Sequence, residues 1–546
     1  MTGPAASAVV PLRRADALVE QLSRQPWGQV DPSTYETARL VADAPWLPGH
    51  PARVAHLLRG QRADGAWGPP EGYALVPTVS AVDALLAELA RPGEPAAGLL
   101  DAVAGGLRAL RGPLARLVLP DTPGADLIVP ALVGSIGERL DRLDGGLRHR
   151  LPVGRPALPP GVTRERLDRI RAVVAAGADL PAKLAHFVEV LELPAGRLPG
   201  AHGTDPLAVG ASPAATAAWL AAAGPSDGAA ARDFLTGLVR HGGGPVPCPT
   251  PITVFERAWV LSALLRAGLP VVPPAVLVES LAVATGRSGI ATGAGLPTDA
   301  DTTAVALDAL GRLGRPADPA VLWEYETDEG FCTWPGEDGF SVTTNAHVLD
   351  AFARHLRRHP GAGARHRAVP ARLAGVLRER QGADGGWRDR WHASPYYATA
   401  CCVSALVDSG AGPAATDAVA AAVRFVLRTQ RPDGSWGRWA GTVEETAYAL
   451  HVLLAAPWAA AGVTAAIARG YGRLIDPSDG PHPPLWYGKE LYRPVAVVGA
   501  AVLAATQLAS EHLLGVGREL PIREPARVRG AGAPDIQRLE GTCGHC

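Results

Sequence analysis

Gln430-Arg431-Pro432-Asp433-Gly434-Ser435-Trp436-Gly437 repeats a pattern met twice earlier, in Gln61-Arg-Ala-Asp-Gly-Ala-Trp67-Gly68 and Gln381-Gly-Ala-Asp-Gly-Gly-Trp387. All three read Gln-x-x-Asp-Gly-x-Trp, and the last two start 49 residues apart. Weaker copies stand at Asp328-Glu329-Gly330-Phe331 and at Asp479-Gly480 ahead of Trp486. Each copy ends one helix and precedes another, because the flanks carry apolar residues at helical spacing, as in 302–313, 398–407, 417–427 and 446–454. Gly then supplies a left-handed turn, Gln and Asp bond loop amides and helix ends, and Trp fills the gap between helices. The motif is a staple and carries no chemistry of its own.

Strand signals are scarce, so the fold class is all-α. A two-helix repeat of this kind closes into an α/α barrel around a central cavity. One copy lies near residue 61 and the others between 320 and 490, which predicts two α/α-barrel domains, 31–275 and 276–520. Residues 1–30 form an N-terminal segment packing on the second barrel, and the polar, Gly/Pro-rich 521–546 reads as a tail.

Of the 546 residues, 47% are hydrophobic and 19% charged, enough to bury large cores and exclude global disorder. The net charge of −1 leaves no basic surplus for nucleic acid. Of 52 basic residues only Lys183 and Lys489 are lysine, so each stands out against the arginine bias. The start, Met1-Thr2-Gly3-Pro4, has no charged segment followed by an apolar run, and the apolar run 495–505 is too short to span a bilayer. Six cysteines make no disulfide scaffold. The expectation is a cytoplasmic protein with no stable membrane insertion and no obligate protein partner.

The sharpest local feature is Pro297-Thr298-Asp299-Ala300-Asp301-Thr302-Thr303-Ala304. Two carboxylates at i and i+2 open an apolar helix; by itself this is an N-cap followed by a first-turn acid. Together with the repeats, it resembles the class II terpene cyclases, the βγ-barrel family related to squalene–hopene cyclases, whose acid motif is Asp-x-Asp-Asp. Here Thr302 takes the fourth place. Further segments resemble the family in order: Ser33-Thr-Tyr-Glu-Thr-Ala38, Asp126-Leu-Ile-Val-Pro130, Leu184-Ala-His186-Phe-Val-Glu189, Ser212-Pro-Ala-Ala-Thr-Ala217, Phe255-Glu-Arg-Ala-Trp259, Trp391-His-Ala-Ser-Pro-Tyr-Tyr397 and Leu485-Trp-Tyr-Gly-Lys489-Glu-Leu-Tyr492.

The resemblance implies that the first barrel is the family's γ domain, the second its β domain, and Asp301 the proton donor. Protonating an isolated alkene needs a neutral carboxylic acid in a dry pocket, and a neighbouring carboxylate at Asp299 disfavours ionisation of Asp301. Thr302 leaves a hydroxyl beside them. The family places a hydrogen-bonding partner downstream, where Ser341 and Asn345 stand four apart on one helix face. The Thr302-Thr303 variant resembles bacterial drimenyl diphosphate synthases, which act on farnesyl diphosphate, so the fifteen-carbon substrate is favoured over geranylgeranyl diphosphate.

No Asp-Asp pair occurs in the chain, so the metal motif of class I terpene synthases is missing and the diphosphate is expected to survive as a handle. Arg390, Arg169 or Arg171, and Lys489 are the expected cations for this prenyl diphosphate. The family binds Mg2+ with the diphosphate; Glu189 and Asp126 are the acids expected to serve. His186 falls where plant members carry the His of a terminating His/Asn pair, while Cys248 falls at the Asn position. Trp334, Tyr397 and Trp439 are expected to face a carbocation.

Three alternatives stay open. A zinc protein prenyltransferase subunit has a similar barrel, and Cys332, His347, Cys401 and Cys402 are available as ligands, as is the Cys543-Gly-His-Cys546 tail. An α/α-barrel glycoside hydrolase would need carboxylates flanking a sugar bond, which a pair two apart on one helix start rarely does. A non-catalytic prenyl- or protein-binding barrel would not need Asp301.

Overall fold

The computed structural model describes residues 4–192, 207–223, 228–284, 288–410, 412–456, 462–476 and 482–515. The repeat copy at Asp479-Gly480 and the segment 521–546 lie outside the described residues.

The helices form two closed rings. In the C-terminal half Thr253–Arg266, Ala300–Arg312, Val342–Arg358, Pro395–Ser409, Val443–Ala455 and Val495–Leu513 each pack on the next, and the last returns to the first. Ala275–Ala284, Ala364–Glu379, Pro413–Thr429 and Val463–Ile475 cover them from outside. In the N-terminal half Thr34–Asp43, Leu75–Leu89, Ala125–Arg142, Val188–Leu191 and Pro213–Ala223 close a second, smaller ring. Inner and outer helices differ in pattern. Leu75–Leu89 is buried along nearly its whole length, whereas Leu99–Arg111 outside it leaves Asp101 and Arg108 in solvent and buries Leu99, Val103, Leu107 and Leu110 on one face.

The expected boundary at 275/276 falls inside the second barrel. Helix Thr253–Arg266 is one of its ring members, since Phe255, Trp259, Val260 and Leu264 join the C-terminal core. Val246 still belongs to the N-terminal core and Ile252 already to the other. Helix Pro4–Arg24 packs on Thr253–Arg266 and Val495–Leu513, adding Ala15, Val19 and Leu22 to that core.

The three full repeats make the same bonds. The Gln61, Gln381 and Gln430 amides each donate to two carbonyls: Gly65 and Ala102, Gly385 and Ala418, Gly434 and Ala466. The buried indoles of Trp67, Trp387 and Trp436 donate to Leu57, Leu377 and Val426. At Gly65, with φ +84°, a Cβ would lie 2.5 Å from the Gly105 carbonyl, so no other residue fits without displacing backbone. These bonds tie each outer helix to the next outer one, and the backbone N–H groups of Trp67, Trp387 and Trp436, donating to the hydroxyls of Thr78, Thr399 and Thr446, tie the motif to the inner ring.

Two stretches, Glu71–Leu89 and Val495–Leu513, are long and apolar enough to cross a membrane by length and composition. The second outruns the apolar stretch that the sequence had marked as too short. Both are ring helices of the barrels.

Candidate active site

The acid segment is held at both ends of a short antiparallel pairing, Ile290–Ala291 with Thr298–Asp299, that leads into helix Ala300–Arg312. Asp299 is the N-cap: its Oδ1 accepts from the Thr302 amide at 2.6 Å and its Oδ2 from Thr292 Oγ1 at 3.1 Å. Thr302 Oγ1 lies 3.0 Å from the same Thr292 hydroxyl. The Thr303 hydroxyl donates to the Asp299 carbonyl at 2.5 Å. Burial raises the Asp299 carboxyl to about 7; the Thr302 amide opposes this and the charge of Asp301 adds to it.

Asp301, one step into the helix, has a different partner from the one expected. Its Oδ1 lies 2.6 Å from His347 Nδ1, and both side chains are mostly buried. Burial works against a charged imidazole, yet the Asp301 carboxylate outweighs it and holds His347 well above the usual histidine range. The ring stands edge-on to Trp259 at 5.5 Å.

Ser341 and Asn345 do not reach the acid. Ser341 caps helix Val342–Arg358 and donates to Asp389 Oδ1 at 2.9 Å. The Asn345 amide is spent on the backbone of Phe331, in both directions, and on the Ser341 carbonyl. Two residues advance a helix by about 200°, so His347 faces the side opposite Asn345. The sequence had offered His347 only as a zinc ligand.

Asp299, Asp301 and Thr302 line a cavity between the two barrels. Its apolar wall includes Phe255, Trp259, Tyr397, Trp486 and Tyr492. The Tyr397 hydroxyl accepts from the Trp259 indole at 3.0 Å, which fixes both rings. Behind the wall, Glu444 Oε1 accepts from the Trp486 indole at 2.8 Å and from His392 Nε2 at 3.2 Å. The His392 proton sits on Nε2, because Nδ1 accepts from the Ser394 amide. His186 lines the cavity from the first barrel. Its Nδ1 bonds the Gly210 carbonyl, so that nitrogen carries the proton and Nε2 keeps a lone pair. Burial and the nearby Lys489 charge bring its pKa down to about 3.

The solvent side of the cavity is charged. Arg390 lies 3.0 Å from both Glu337 and Asp121, and Arg166 pairs with Asp126 at 2.7 Å and Asp338 at 3.2 Å. Lys183 donates to the Pro335 and Gly336 carbonyls. Trp334 lines the same region, edge-on to Trp391 at 5.3 Å, with its indole N–H buried and unpartnered.

Several expected ligands lie elsewhere. Arg169 is exposed and does not line the cavity; Arg171 donates to the Val190 and Leu191 carbonyls, capping a helix end. Their neighbour Arg166 is the one that turns inward. Trp439 donates to Glu71 Oε1 at 3.0 Å between the barrels, outside the cavity. Lys489 is fully enclosed, with Nζ 2.6 Å from Glu189, 3.0 Å from Glu36 and 2.7 Å from Ser212. Glu189 also accepts from the Tyr35 hydroxyl at 2.6 Å. Lysine and glutamate therefore neutralise each other across the domain boundary, and neither is presented to a phosphate or a metal. Asp126 alone of the two expected metal ligands stands at the charged mouth.

The zinc alternative finds no support in the cavity. His347 is engaged by Asp301, and Cys332 Sγ donates to the Tyr325 carbonyl at 3.3 Å. Among the described residues the one group of three metal-type ligands within reach of each other, Asp318, His355 and His366, lies outside it.

Residues 338–473 match the family model of the squalene-hopene cyclase C-terminal domain. The chain is 44% identical to the ent-copalyl diphosphate synthase of Streptomyces sp. (strain KO-3988), over 91% of this chain and 96% of that protein. It is 43% identical to the labda-7,13-dienyl diphosphate synthase of Streptomyces clavuligerus, over 93% of each. The solved ent-copalyl diphosphate synthase of Streptomyces platensis superposes with a TM-score of 0.86 at 42% identity, over 91% of this chain and 99% of that one. With two helical barrels, an acid at a helix start between them and these relatives along its length, the chain belongs to the class II terpene cyclases of the squalene–hopene cyclase superfamily.

Proposed function

We propose that this enzyme cyclises geranylgeranyl diphosphate to a bicyclic copalyl-type diphosphate with the diphosphate retained. The observation that carries the reaction type is Asp301, paired with His347, facing a cavity with an aromatic wall. The substrate length rests on the names of the relatives, which are copalyl and labdadienyl diphosphate synthases. They favour the twenty-carbon substrate over the fifteen-carbon one that Thr302-Thr303 had pointed to.

His347 holds Asp301 Oδ1, so the transferable proton belongs on Oδ2. Asp301 gives that proton to the terminal alkene of the substrate. The tertiary cation is attacked by the next double bond, and the resulting cation by the third, closing two rings. A proton then leaves a carbon next to the last cation. One proton enters and one leaves, so the reaction is an isomerisation. His186, neutral and with Nε2 unprotonated, is the base we assign to the departing proton. Trp259, Tyr397 and Trp486 offer ring faces to the cations and exclude water that would quench them.

Arg390, Arg166 and Lys183 are the cations we assign to the diphosphate, with the Trp334 N–H as a further donor. Asp126 and Asp338, both carboxylates at the mouth, suit a Mg2+ ion that keeps waters and shares substrate phosphates. Bound there, the ion would neutralise diphosphate charge; Glu189, locked on Lys489 and Tyr35, would not hold it.

Incubation with geranylgeranyl and with farnesyl diphosphate, followed by dephosphorylation and identification of the alcohols, tests the reading. A bicyclic C20 alcohol supports it. Turnover of farnesyl diphosphate to drimenol with none of the C20 substrate would establish the second reading, which rests on Thr302-Thr303. Free diphosphate released in step with turnover would contradict both.

A further inference from the structure

Away from the cavity, on the outside of the second barrel, three ligand side chains from three segments converge. Asp318 caps the short 3-10 helix Pro319–Tyr325, His355 lies in the last turn of Val342–Arg358, and His366 in the first turn of Ala364–Glu379. One ligand atom of each lies within 4.8 Å of the other two. Asp318 Oδ1 and His366 Nε2 are already 3.0 Å apart. The rings of His355 and His366 are stacked at 5.3 Å, and the His359 ring lies tilted to that of His355 at 4.6 Å. His355 Nδ1 is buried and has no hydrogen-bond partner.

His366 packs on Trp323 and Phe352 and Asp318 caps its helix, but neither role uses the orphan nitrogen of His355. Once the His366 Nε2 proton that now bonds Asp318 Oδ1 is displaced, the nitrogens of His355 and His366 and a carboxylate oxygen of Asp318 form a donor set for a borderline divalent ion, Zn2+ above all. Tetrahedral ligand atoms on zinc lie roughly 3.3 Å apart at bond lengths near 2.05 Å, which small rotamer changes from the present spacing would reach. A fourth place is open to water.

We propose that Asp318, His355 and His366 form a structural Zn2+ site, separate from the Mg2+ and substrate of the reaction. Its position gives it a purpose. Asp318 follows the helix that carries Asp301, and His355 is two turns beyond His347 on the same helix. The ion would tie these two helices and the outer helix Ala364–Glu379 together at the end remote from the acid pair. It orders the frame on which Asp301 and His347 meet without touching the reaction.

The test is calorimetric titration of chelator-treated full-length protein with ZnCl2, in a Cys543→Ser, Cys546→Ser background that removes the competing tail. The expected result is one saturable site at micromolar affinity or tighter. Thermal midpoint should rise by roughly 2–5 °C at a hundredfold excess of zinc over the dissociation constant. His355→Gln and His366→Gln should each weaken binding at least about tenfold and remove the rise in midpoint, with kcat unchanged at low temperature. Cobalt substitution should give visible absorption bands of an N/O site that disappear in both variants. Absence of a saturable site below about 100 μM, or equal zinc binding in the double variant His355→Gln, His366→Gln, would overturn the proposal.

Discussion

His347 Nδ1 approaches Asp301 Oδ1 to 2.6 Å, joining two ring helices through the acid that lines the cavity. The contact sets which oxygen of Asp301 can carry a transferable proton. Asp301→Asn should therefore lower kcat by at least about 10²–10⁴, the range a positioned acid contributes, while the chain still folds and binds substrate. A variant keeping a tenth of the wild-type rate would sink the assignment. His347→Ala should lower kcat about 100-fold with little change in KM, and His347→Gln, which still donates a hydrogen bond, should recover part of the loss. An unchanged kcat in His347→Ala would make the pair structural.

Asp299 makes a prediction about pH and stability. Its folded carboxyl is raised to about 7, mainly by burial, from 3.8. The folded state thus holds a proton that the unfolded state releases between those values. The contribution of Asp299 to stability is fully present below about pH 4 and is lost as pH rises through 7. Asp299→Asn removes that dependence. Its thermal midpoint relative to wild type should climb between pH 4 and 7 and level off above. A constant difference across that window would show that Asp299 is not raised.

The repeats made the two helical barrels legible, because Gln-x-x-Asp-Gly-x-Trp states a local geometry that each copy then adopts. Asp299 and Asp301 were legible for the same reason, as a helix start. The partner of Asp301 was not. Asn345 and His347 sit two apart on one helix, and only the helix rotation against its neighbours decides which one faces the acid. Lys489 stood out by rarity, yet rarity does not say whether a cation faces solvent, phosphate or Glu36 and Glu189. Asp338 and Glu337 were not singled out, since carboxylates in a polar loop carry no signal until Arg166 and Arg390 are seen beside them. The boundary was misplaced because helix Thr253–Arg266 precedes the acid motif in sequence but closes its ring.

The charged mouth should govern binding more than chemistry. Arg390 and Lys183 lie at the cavity but away from the Asp301–His347 pair in their bonding. Arg390→Gln and Lys183→Gln should each raise KM for the prenyl diphosphate by about tenfold or more, the loss of one charge-assisted contact, and leave kcat within a few fold. Arg169→Gln, at an exposed position outside the cavity, should change neither. A fall in kcat alone would move Arg390 from binding to the chemistry.

Lys489 predicts a stability effect. Replacing it with Met leaves Glu36 and Glu189 facing each other in a buried site without a counter-charge. Breaking a buried pair in this way costs about 3–5 kcal/mol. Lys489→Met should lower the midpoint of urea unfolding markedly, and adding Glu189→Gln should restore part of it. Should the single variant be as stable as wild type but fail to bind substrate, Lys489 would be a ligand after all.

Glu444 is the least conspicuous of the groups around the cavity and makes the last prediction. It is fully buried, and its Oε2 has no partner, a costly arrangement for a carboxylate. Its Oε1 holds the indole N–H of Trp486 and Nε2 of His392, whose ring stacks on Tyr397 at 4.6 Å. Both Trp486 and Tyr397 line the cavity. A carboxylate accepting from the indole pushes electron density onto its face, and the charge itself lies just behind the wall that meets the cation. Stabilisation of this kind is worth about 0.5–2 kcal/mol per ring, and tenfold in rate corresponds to 1.36 kcal/mol. Glu444→Gln preserves the shape and both hydrogen bonds through its carbonyl oxygen but removes the charge. It should lower kcat about 3–30-fold with KM and thermal midpoint little changed, and should increase the share of alcohol products formed when water captures an incompletely stabilised cation. A variant with wild-type kcat and product distribution would show that Glu444 only positions the wall.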